Sequence, residues 1–462
     1  MRALLLGLVA LALVAVVALF AEPLAPTATL EGLGPALGRG TPLRVMVADR
    51  GSGLAHVEVR LVPGDGSTPL VLARQDFPRT SLLGSGVHEA TLTPTLGANV
   101  PVPEGKATLE VYAADHSLLS ALRRGPRVAQ DVMVDVTPPK VTVLSKNHAA
   151  RLGGSEFAVF RVGSDTATAG VQVGDVFFPA NASVFKEPDL RGVLFAIPDD
   201  SINAKPVAVA SDAAGNRAEV PLDVHVPPRK FAEKKLAITD GFLQHKVPEL
   251  LAANHLAADG TAVDGYLRVN RDLRHSTEAR IRDLCSNGAP APLWSLDDGP
   301  LLRMPGAALS GFADRRTYTH DGAVIDHQTH LGYDIASLKN APVPAAAAGR
   351  VTFVGPLGIY GNAVILDHGL GLYTLYGHLS EIVATPGAEV ARGDVIGKTG
   401  DTGLAGGDHL HFSTMIDGIH VDPADWWDRH WIGDHLFSRL ADHPRLPPPA
   451  PPAPPESGES TS

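Results

Sequence analysis

Three short histidine-containing motifs between residues 330 and 412 constrain this chain more than any other feature. They are His330-Leu331-Gly332-Tyr333-Asp334, Tyr376-Gly377-His378-Leu379-Ser380 and His409-Leu410-His411-Phe412. Their apolar, β-branched and glycine-containing surroundings favour strands and tight loops. Side chains alternate between the two faces of a strand, so His409 and His411 point the same way. The same holds for His330 and Asp334. Two such strands facing each other could place two imidazoles and a carboxylate around one cation, the catalytic form of a zinc site if water fills the fourth position.

The histidines also have a simpler interpretation. The chain contains 19 His, so a His-x-His pair alone is typical of a solvated surface pair, and His-x-x-x-Asp alone is a weaker signal still. The order of the three motifs, however, resembles the catalytic domain of the LytM/lysostaphin-type zinc metallopeptidases, peptidase family M23. The resemblance covers about residues 311–427 and includes the glycine-containing segments 361–369 and 393–400.

The resemblance implies a role for each of five residues. His330, Asp334 and His411 would be the ligands of one Zn²⁺ per chain, and His378 and His409 would be unliganded catalytic histidines. Zinc lowers the pKa of its water to about 7. The two free histidines would then take up the proton of that water and stabilise the developing oxyanion. Which histidine performs which role stays open.

The resemblance also implies a substrate, peptidoglycan, hydrolysed at a peptide bond of its stem peptides or cross-links. One alternative is a non-catalytic LytM-fold regulator that activates a cell-wall amidase. Another is a structural adhesin whose N-terminal modules do the work. All five site positions are filled here, whereas regulators of this fold have typically lost ligands, so the enzyme is favoured. A regulatory protein partner remains a further hypothesis.

Other histidines near the motifs are interpreted as structural or solvated. His368 lies in a predicted turn and is expected to be structural or to support the site from behind. His320, His327 and His420 lack a motif position, and we expect them in loops or in solvent.

The net charge and the N-terminal residues limit which binding partners and which cellular location are expected. The net charge of -11 gives no broad basic surface, so a nucleic-acid partner is not expected. Residues 1–22 contain an apolar run from Ala3 to Phe20, which is just long enough to span a bilayer as a helix. Because residues 19–21 lack a small-x-small cleavage pattern, we predict a signal anchor rather than a cleaved signal peptide. The rest of the chain would lie in the cell envelope, in the periplasm, anchored to the inner membrane.

The remaining sequence predicts a mainly β chain of several modules. Alternating apolar residues at 43–49 and 57–61, with turns between them, predict an Ig-like β-sandwich over residues 23–136. A similar pattern restarts after Thr137-Pro138-Pro139 and predicts a second Ig-like or fibronectin-like sandwich over residues 137–228. We expect both tandem sandwiches to act as spacers, with substrate binding or occlusion of the active site as the alternative.

The sequence character changes again after residue 228. Helical spacing at 234–237, 241–245 and 247–256, then an apolar stripe of Leu267, Val269, Leu273 and Ile281, predicts a mostly helical insert over residues 229–310. Its charges would form a solvated face, with a substrate-facing or inhibitory role as the alternative. An antiparallel-β LytM-type peptidase domain would occupy residues 311–442, and a Pro-rich disordered tail residues 443–462.

Overall fold

The structure, a computed structural model, describes residue 22 and residues 24–81, 84–97, 101–294 and 298–441. The predicted anchor, apart from Glu22, and the predicted Pro-rich tail lie outside these residues. No helix in the described ranges is long and apolar enough to cross a membrane. The chain divides into two compact units. One holds the residues up to 140 with segments 164–168 and 210–218, and the other holds 141–163, 169–209 and the residues from 219 onward.

Residues 27–134 form two antiparallel sheets around one apolar core. The strands are β1 (Thr27–Glu31), β2 (Arg44–Ala48), β3 (Leu54–Pro63), β4 (Leu70–Asp76), β5 (Glu89–Leu92), β6 (Gly105–Asp115) and β7 (Val128–Val134). The sheet orders are β1-β2-β5 and β4-β3-β6-β7. Every second residue of β6 from Ala107 to Asp115 is buried, so one face of this strand packs on the core and the other faces outward. A single 3₁₀ turn, Ser120–Leu122, precedes β7.

The next strands also form small sheets. They are β8 (Val141–Val143), β9 (His148–Ala149), β10 (Ser155–Val162), β11 (Thr166–Val173), β12 (Val176–Pro179), β13 (Leu190–Ala196), β14 (Val207–Asp212), β15 (Arg217–Pro221) and β16 (Val224–His225). Their orders are β13-β10-β8 and β12-β11-β14-β15, and β9 pairs with β16 in parallel. The mainly β class is thus confirmed, whereas the immunoglobulin-like identity of the two modules stays a prediction.

The insert begins with a strand rather than a helix. Glu233–Ala237 forms β17, which pairs in parallel with Arg315–His320. The helical spacing predicted for 234–237 was wrong because so short a run fits either period, and the alternating exposure of β17 follows the strand period. Helical segments follow as predicted: Phe242–Lys246, Val247–Ala253, Ala262–Leu267, Arg268–Leu273 and Arg274–Leu284. Thr261 and Asp264 form a capping box at the start of Ala262–Leu267.

The C-terminal region is built on one large sheet. Its strands are β18 (Ala307–Ser310), β19 (Arg315–His320), β20 (Ala323–Thr329), β21 (Tyr333–Ala336), β22 (Pro342–Pro344), β23 (Gly349–Pro356), β24 (Asn362–Gly369), β25 (Leu372–Gly377), β26 (Glu381–Ile382), β27 (Glu389–Val390), β28 (Val395–Lys398), β29 (Leu410–Ile416) and β30 (Ile419–Val421). The large sheet has the order β18-β21-β29-β25-β24-β23-β27, with β30 beside β29. Two smaller sheets, β17-β19-β20 and β22-β28-β26, flank it. The helical segments Pro423–Trp427, Arg429–Ile432, Gly433–Phe437 and Ser438–Ala441 follow.

The insert and the large sheet share one hydrophobic core. Val269 and Ile281 from the predicted apolar stripe are fully buried. They belong to the same cluster of side chains as Ile365 and Leu375 of the large sheet. Burial of such side chains contributes about 1.5–3 kcal/mol each, so the helices of the insert are held against the sheet mainly by this contact.

The C-terminal helices pack on β10. Trp426 is 1% exposed and donates its indole N–H to Ser155 Oγ at 3.2 Å. The neighbouring carboxylate of Glu156 is fully buried and accepts hydrogen bonds from His435, Arg439 and the backbone N–H of Phe157. Burial acts to raise the pKa of Glu156, but these partners and His148 lower it to about 2.

We expect Glu156→Gln to destabilise the protein by about 3 kcal/mol at neutral pH, because the pKa falls from 4.5 in an unfolded chain to about 2. A depressed folded-state pKa stabilises the fold above pH 4.5, and this contribution is lost as the pH falls towards 2. Denaturant unfolding at pH 7 and pH 3 should therefore show the difference between the two proteins falling to roughly half at pH 3.

Glu187→Gln is the matched control, because Glu187 pairs with Arg161 at a half-exposed position. Its effect should be much smaller at both pH values. An unchanged difference between Glu156→Gln and the wild type at pH 7 and pH 3 would show that the ionised Glu156 does not stabilise the fold.

Candidate metal and catalytic site

Two neighbouring strands bring the first and third motifs together. In the antiparallel pair of β21 and β29, Asp334 lies directly opposite His411. His330 precedes β21 in a loop whose backbone bonds to Ala313 and Asp314. Gly332 must remain a glycine, because a Cβ there would lie 2.6 Å from His411 Nε2. The absence of a side chain at this position lets the loop approach β29 closely.

Three potential ligand atoms converge at this point. His330 Nε2 lies 3.0 Å from Asp334 Oδ1 and 3.1 Å from His411 Nδ1, and His411 Nδ1 lies 3.1 Å from Asp334 Oδ1. All three residues are buried, at 8% exposure or less. The structure thus brings together the three residues predicted as ligands.

Hydrogen bonds on the far side of each imidazole determine which nitrogen faces the cluster. His330 Nδ1–H donates to the carbonyl of Gly311 at 2.9 Å. His411 Nε2–H donates to Ser413 Oγ at 2.9 Å, and that hydroxyl donates to the carbonyl of Leu331 at 2.8 Å. The two remaining ring nitrogens therefore present lone pairs to each other and to Asp334. Such partners orient metal-binding imidazoles in proteins.

The arrangement fits a zinc ion. Three lone pairs in mutual contact repel one another unless a cation lies between them. The centre of a triangle with 3.0–3.1 Å sides is about 1.8 Å from each corner, close to the about 2.0–2.1 Å that zinc keeps from nitrogen and oxygen ligands. Two imidazoles and one carboxylate are a donor set that zinc accepts, and such a set would leave one coordination position for water or substrate.

The two histidines predicted as unliganded lie beside this cluster. His378 follows β25 with a positive φ of 63° and donates Nδ1–H to the carbonyl of Thr402 at 2.7 Å. His409 donates Nδ1–H to the carbonyl of Gly407 at 2.7 Å, and its Nε2 lies 3.5 Å from Asp334 Oδ1. Their ring centroids are 4.8 Å apart. Both rings therefore have Nε2 available for proton transfer.

The buried charges set the protonation of the cluster. Burial acts to raise the pKa of Asp334, but contacts with His330, His409 and His411 hold that pKa well below its ordinary value. Burial lowers the pKa of His411 to about 4, and it lowers the pKa of His378 well below 6.5 with help from its histidine neighbours. Burial also acts against the charged form of His409, but Asp334 raises the pKa of that histidine overall. His378 and His411 are thus neutral at pH 7, as lone-pair donors must be.

The cluster opens into a cavity of about 280 Å³. All five residues line it, and so do side chains from the insert. Those side chains are mostly apolar, with one cation: Leu236, Ile238, Phe242, Tyr266 and Arg274. The insert therefore contributes part of the cavity wall, as the substrate-facing alternative requires.

Sequence reasoning missed several supporting residues. Ser413 could have been found, because it lies two residues after His411 and shares its strand face. Arg316 donates to Asp334 Oδ2 at 3.0 Å, and Tyr360 places its ring 4.9 Å from that of His411. Tyr360 Oη donates in turn to Glu278 Oε1 at 2.9 Å. No local pattern marks Arg316 or Glu278, which are 18 and 142 residues from their partners Asp334 and His420.

The structure also tests what the sequence predicted for two other histidines, His368 and His420. His368 is fully buried inside β24, bonded to the carbonyl of Ala348 and to Thr374 Oγ1, and burial lowers its pKa to about 4. The structural interpretation of His368 is confirmed, although it lies on a strand. His420 was wrongly expected in a loop or in solvent. It lies in β30, is 6% exposed and bonds Glu278 Oε2 at 2.9 Å.

Comparison with known proteins assigns this region to a family. A sequence model described as Peptidase family M23 matches residues 328–423. DD-carboxypeptidase/endopeptidase Mpg of Neisseria meningitidis serogroup B is 46% identical over 95 residues, which is 21% of this chain and 22% of that protein. Peptidoglycan DD-endopeptidase ShyB of Vibrio cholerae is 34% identical over 113 residues, 24% of this chain and 26% of the relative. The chain thus spans about a quarter of the length of these curated relatives or less.

Two solved structures are similar over about a quarter of the chain. The catalytic domain of the M23 protein EnpA from Enterococcus faecalis is 28% identical, covering 27% of this chain and 95% of that domain with a TM-score of 0.24. The catalytic domain of lysostaphin from Staphylococcus simulans is 26% identical, covering 26% and 90% with a TM-score of 0.22.

We expect Ser413→Ala to weaken Zn²⁺ affinity by about 10–100-fold, because His411 Nε2–H loses its acceptor and its ring loses its fixed orientation. A competition titration against a chromogenic chelator measures this affinity. Thr414→Val is the matched control, since Thr414 is buried on the same strand and its hydroxyl has no hydrogen-bond partner among the described residues. Equal affinities of Ser413→Ala and Thr414→Val would contradict the proposed ligand support.

Proposed function

Because residues 328–423 form a Peptidase family M23 domain, we propose that this protein is a zinc-dependent endopeptidase that hydrolyses peptide bonds in peptidoglycan stem peptides or cross-links. One observation carries the proposal: three buried lone pairs converge on one point beside two further histidines, all lining one cavity. In this proposal His330, Asp334 and His411 hold one zinc ion, and His378 and His409 assist without binding it.

The substrate class is supported by the relatives. One relative is named a DD-carboxypeptidase/endopeptidase and another a peptidoglycan DD-endopeptidase. The family match contains all five proposed site residues, so the activity of that domain is the property that carries over to this chain. A place in the cell envelope, outside the cytoplasmic membrane and anchored through the N-terminal apolar segment, belongs to the same proposal because peptidoglycan lies there.

In the proposed reaction, the zinc ion and the side chains of the protein have different tasks. Zinc at this site would lower the pKa of a coordinated water to about 7 and polarise the scissile carbonyl. His378 and His409 each offer Nε2 to the cavity, held in place by the Nδ1–H bond to a carbonyl. Between them they can accept a proton from the attacking water and return one to the leaving amine. Arg316 neutralises part of the charge of Asp334 and donates a hydrogen bond to its second oxygen, Oδ2.

The apolar part of the cavity would exclude water from the scissile bond. Side chains such as Phe242, Tyr318 and Ile359 line it next to the ligands. In a water-poor site, charges and dipoles act more strongly on the developing oxyanion than they do in bulk solvent. A peptide segment is a suitable occupant, since its backbone can lie along the cavity with one carbonyl directed at the ligand cluster.

The alternative is a regulator that activates an amidase without catalysis of its own. Such a protein does not need converging lone pairs or proton-transfer groups around an open coordination position. All five residues are present and close together, so the enzyme is the better supported function.

We expect His378→Ala and His409→Ala each to lower the rate of peptidoglycan digestion by about 10²–10⁴-fold while one equivalent of zinc stays bound, because each removes a proton-transfer group but no ligand. His330→Ala should lose both zinc and activity. Fragments released from purified peptidoglycan, identified by mass spectrometry, measure activity and name the bond cleaved, and elemental analysis measures zinc.

His327→Ala is the control, because His327 is exposed on β20 of the same region. It should retain full activity and zinc content.

Addition of a chelator should abolish digestion, and zinc should restore it. A wild-type protein that binds one zinc but releases no fragments would overturn the peptidoglycan hydrolase proposal and leave the metal site intact.

A further inference from the structure

A second group of possible ligands lies in the N-terminal unit. Glu22, Asp49 and Asp115 each place one carboxylate oxygen within 4.8 Å of the other two. Asp49 is 4% exposed and Asp115 is 3% exposed. These residues come from three separate parts of the chain: the segment before β1, the turn after β2 and the end of β6. Their approach is therefore a feature of the folded unit and not of local sequence.

The two carboxylate oxygens of the buried Asp49 differ in their hydrogen bonding. Asp49 Oδ2 accepts hydrogen bonds from the backbone N–H groups of Gly51 at 3.1 Å and Gly53 at 2.7 Å. Asp49 Oδ1 is buried and has no hydrogen-bond partner among the described residues. An unpaired buried carboxylate oxygen costs free energy, so a missing ligand is a physical explanation for its position.

Asp212 of the same unit provides an internal comparison. It caps a turn in the same way, with Oδ1 accepting from the backbone N–H groups two and four residues later, Ala214 and Asn216. Its other oxygen, however, accepts from Asn216 Nδ2 at 2.9 Å. The turn itself therefore does not require an unpaired oxygen. The unpaired oxygen of Asp49 distinguishes the turn that faces Glu22 and Asp115.

The charge of the cluster matches a divalent cation. Arg123 donates to Asp115 Oδ2 at 2.9 Å and compensates one of the three carboxylates. Glu22 Oε2 accepts from the backbone N–H and the hydroxyl of Ser52, which places Glu22 without neutralising it. Three carboxylates and one guanidinium leave a formal charge of about -2, which a divalent cation would neutralise.

We propose that Glu22, Asp49 and Asp115 bind one Ca²⁺ ion. The donors are all oxygens, with no imidazole or thiolate in the cluster, which favours a hard cation over zinc. Calcium tolerates irregular coordination and completes its shell with carbonyl oxygens and water, whereas magnesium demands a near-octahedral set. The ion would fasten residue 22, which directly follows the apolar N-terminal segment, to the turn after β2 and to the end of β6.

The test is calorimetric titration of the full chain, purified in detergent, with CaCl₂. We expect one site with a dissociation constant of about 10⁻⁴–10⁻³ M, the range of extracellular calcium modules. Asp49→Asn and Glu22→Gln should each weaken binding at least about tenfold. Glu22 is only partly buried, so Glu22→Gln tests the site even if Asp49→Asn folds poorly. Wild-type thermal stability should rise with Ca²⁺, and that of both variants should rise less.

Asp65→Asn is the matched control. Asp65 also accepts hydrogen bonds from a residue two positions later, Ser67, but it is exposed and lies outside the cluster. Its calcium affinity should equal that of the wild type. Absence of binding up to 10 mM Ca²⁺ (a concentration about tenfold above the expected dissociation constant), or equal binding by wild type, Asp49→Asn and Glu22→Gln, would overturn the proposal. Equal affinity for Mg²⁺ would overturn the assignment to calcium.

Discussion

The register between β21 and β29 is the constraint on which the candidate site depends. Asp334 and His411 face each other because the two strands pair in the register that also places Tyr333 opposite Phe412. A slip of one residue would turn one of the two side chains to the opposite face of the sheet. Every residue of β29 is buried, and β25 pairs along its other edge. Packing on both faces and pairing on both edges therefore oppose such a slip.

Three lone pairs that converge without a cation repel one another. Hydrogen bonds from the surrounding structure hold the three side chains in place against this repulsion. Ser413, Gly311 and Arg316 each hydrogen-bond to one proposed ligand from outside the cluster. These contacts are made before any ion arrives, so little reorganisation is needed on binding. A site with this support binds metal more tightly than a flexible one, because less conformational entropy is lost when the ion enters.

The insert is a structural part of the region that contains the candidate site, and it also forms one wall of the cavity. Glu278, on the helix Arg274–Leu284, accepts from Tyr360 Oη and from His420 Nε2, both at 2.9 Å. The ring of Tyr360 in turn packs against that of His411. A fragment beginning near residue 311 would lose Glu278 and half of a shared core. A change in its activity would therefore report damage to the fold as readily as the removal of an inhibitory segment.

Prediction from sequence succeeded where the signal was local or belonged to the family pattern. The mainly β class, the helices of the insert and its apolar stripe follow from periodicity, which short-range sterics determine. The strand Glu233–Ala237 could not be predicted, because its conformation depends on pairing with β19 about 80 residues later. His420 was placed in solvent for the same reason, since its partner Glu278 is 142 residues away. Long-range contacts of this kind leave no periodic trace in a single sequence.

The two walls of the cavity come from different segments of the chain. This separation matters for how the proposed enzyme would select its substrate. The proposed ligands and proton-transfer groups all lie within residues 328–423, the segment that matches the family. Leu236, Phe242, Tyr266 and Arg274 lie outside it but line the same cavity. Changes in the insert can therefore alter the shape and charge of the cavity while the proposed ligands keep their register. In the proposed enzyme, catalysis and substrate selection could therefore change separately, because the strands that position the proposed ligands do not include the segment that faces them.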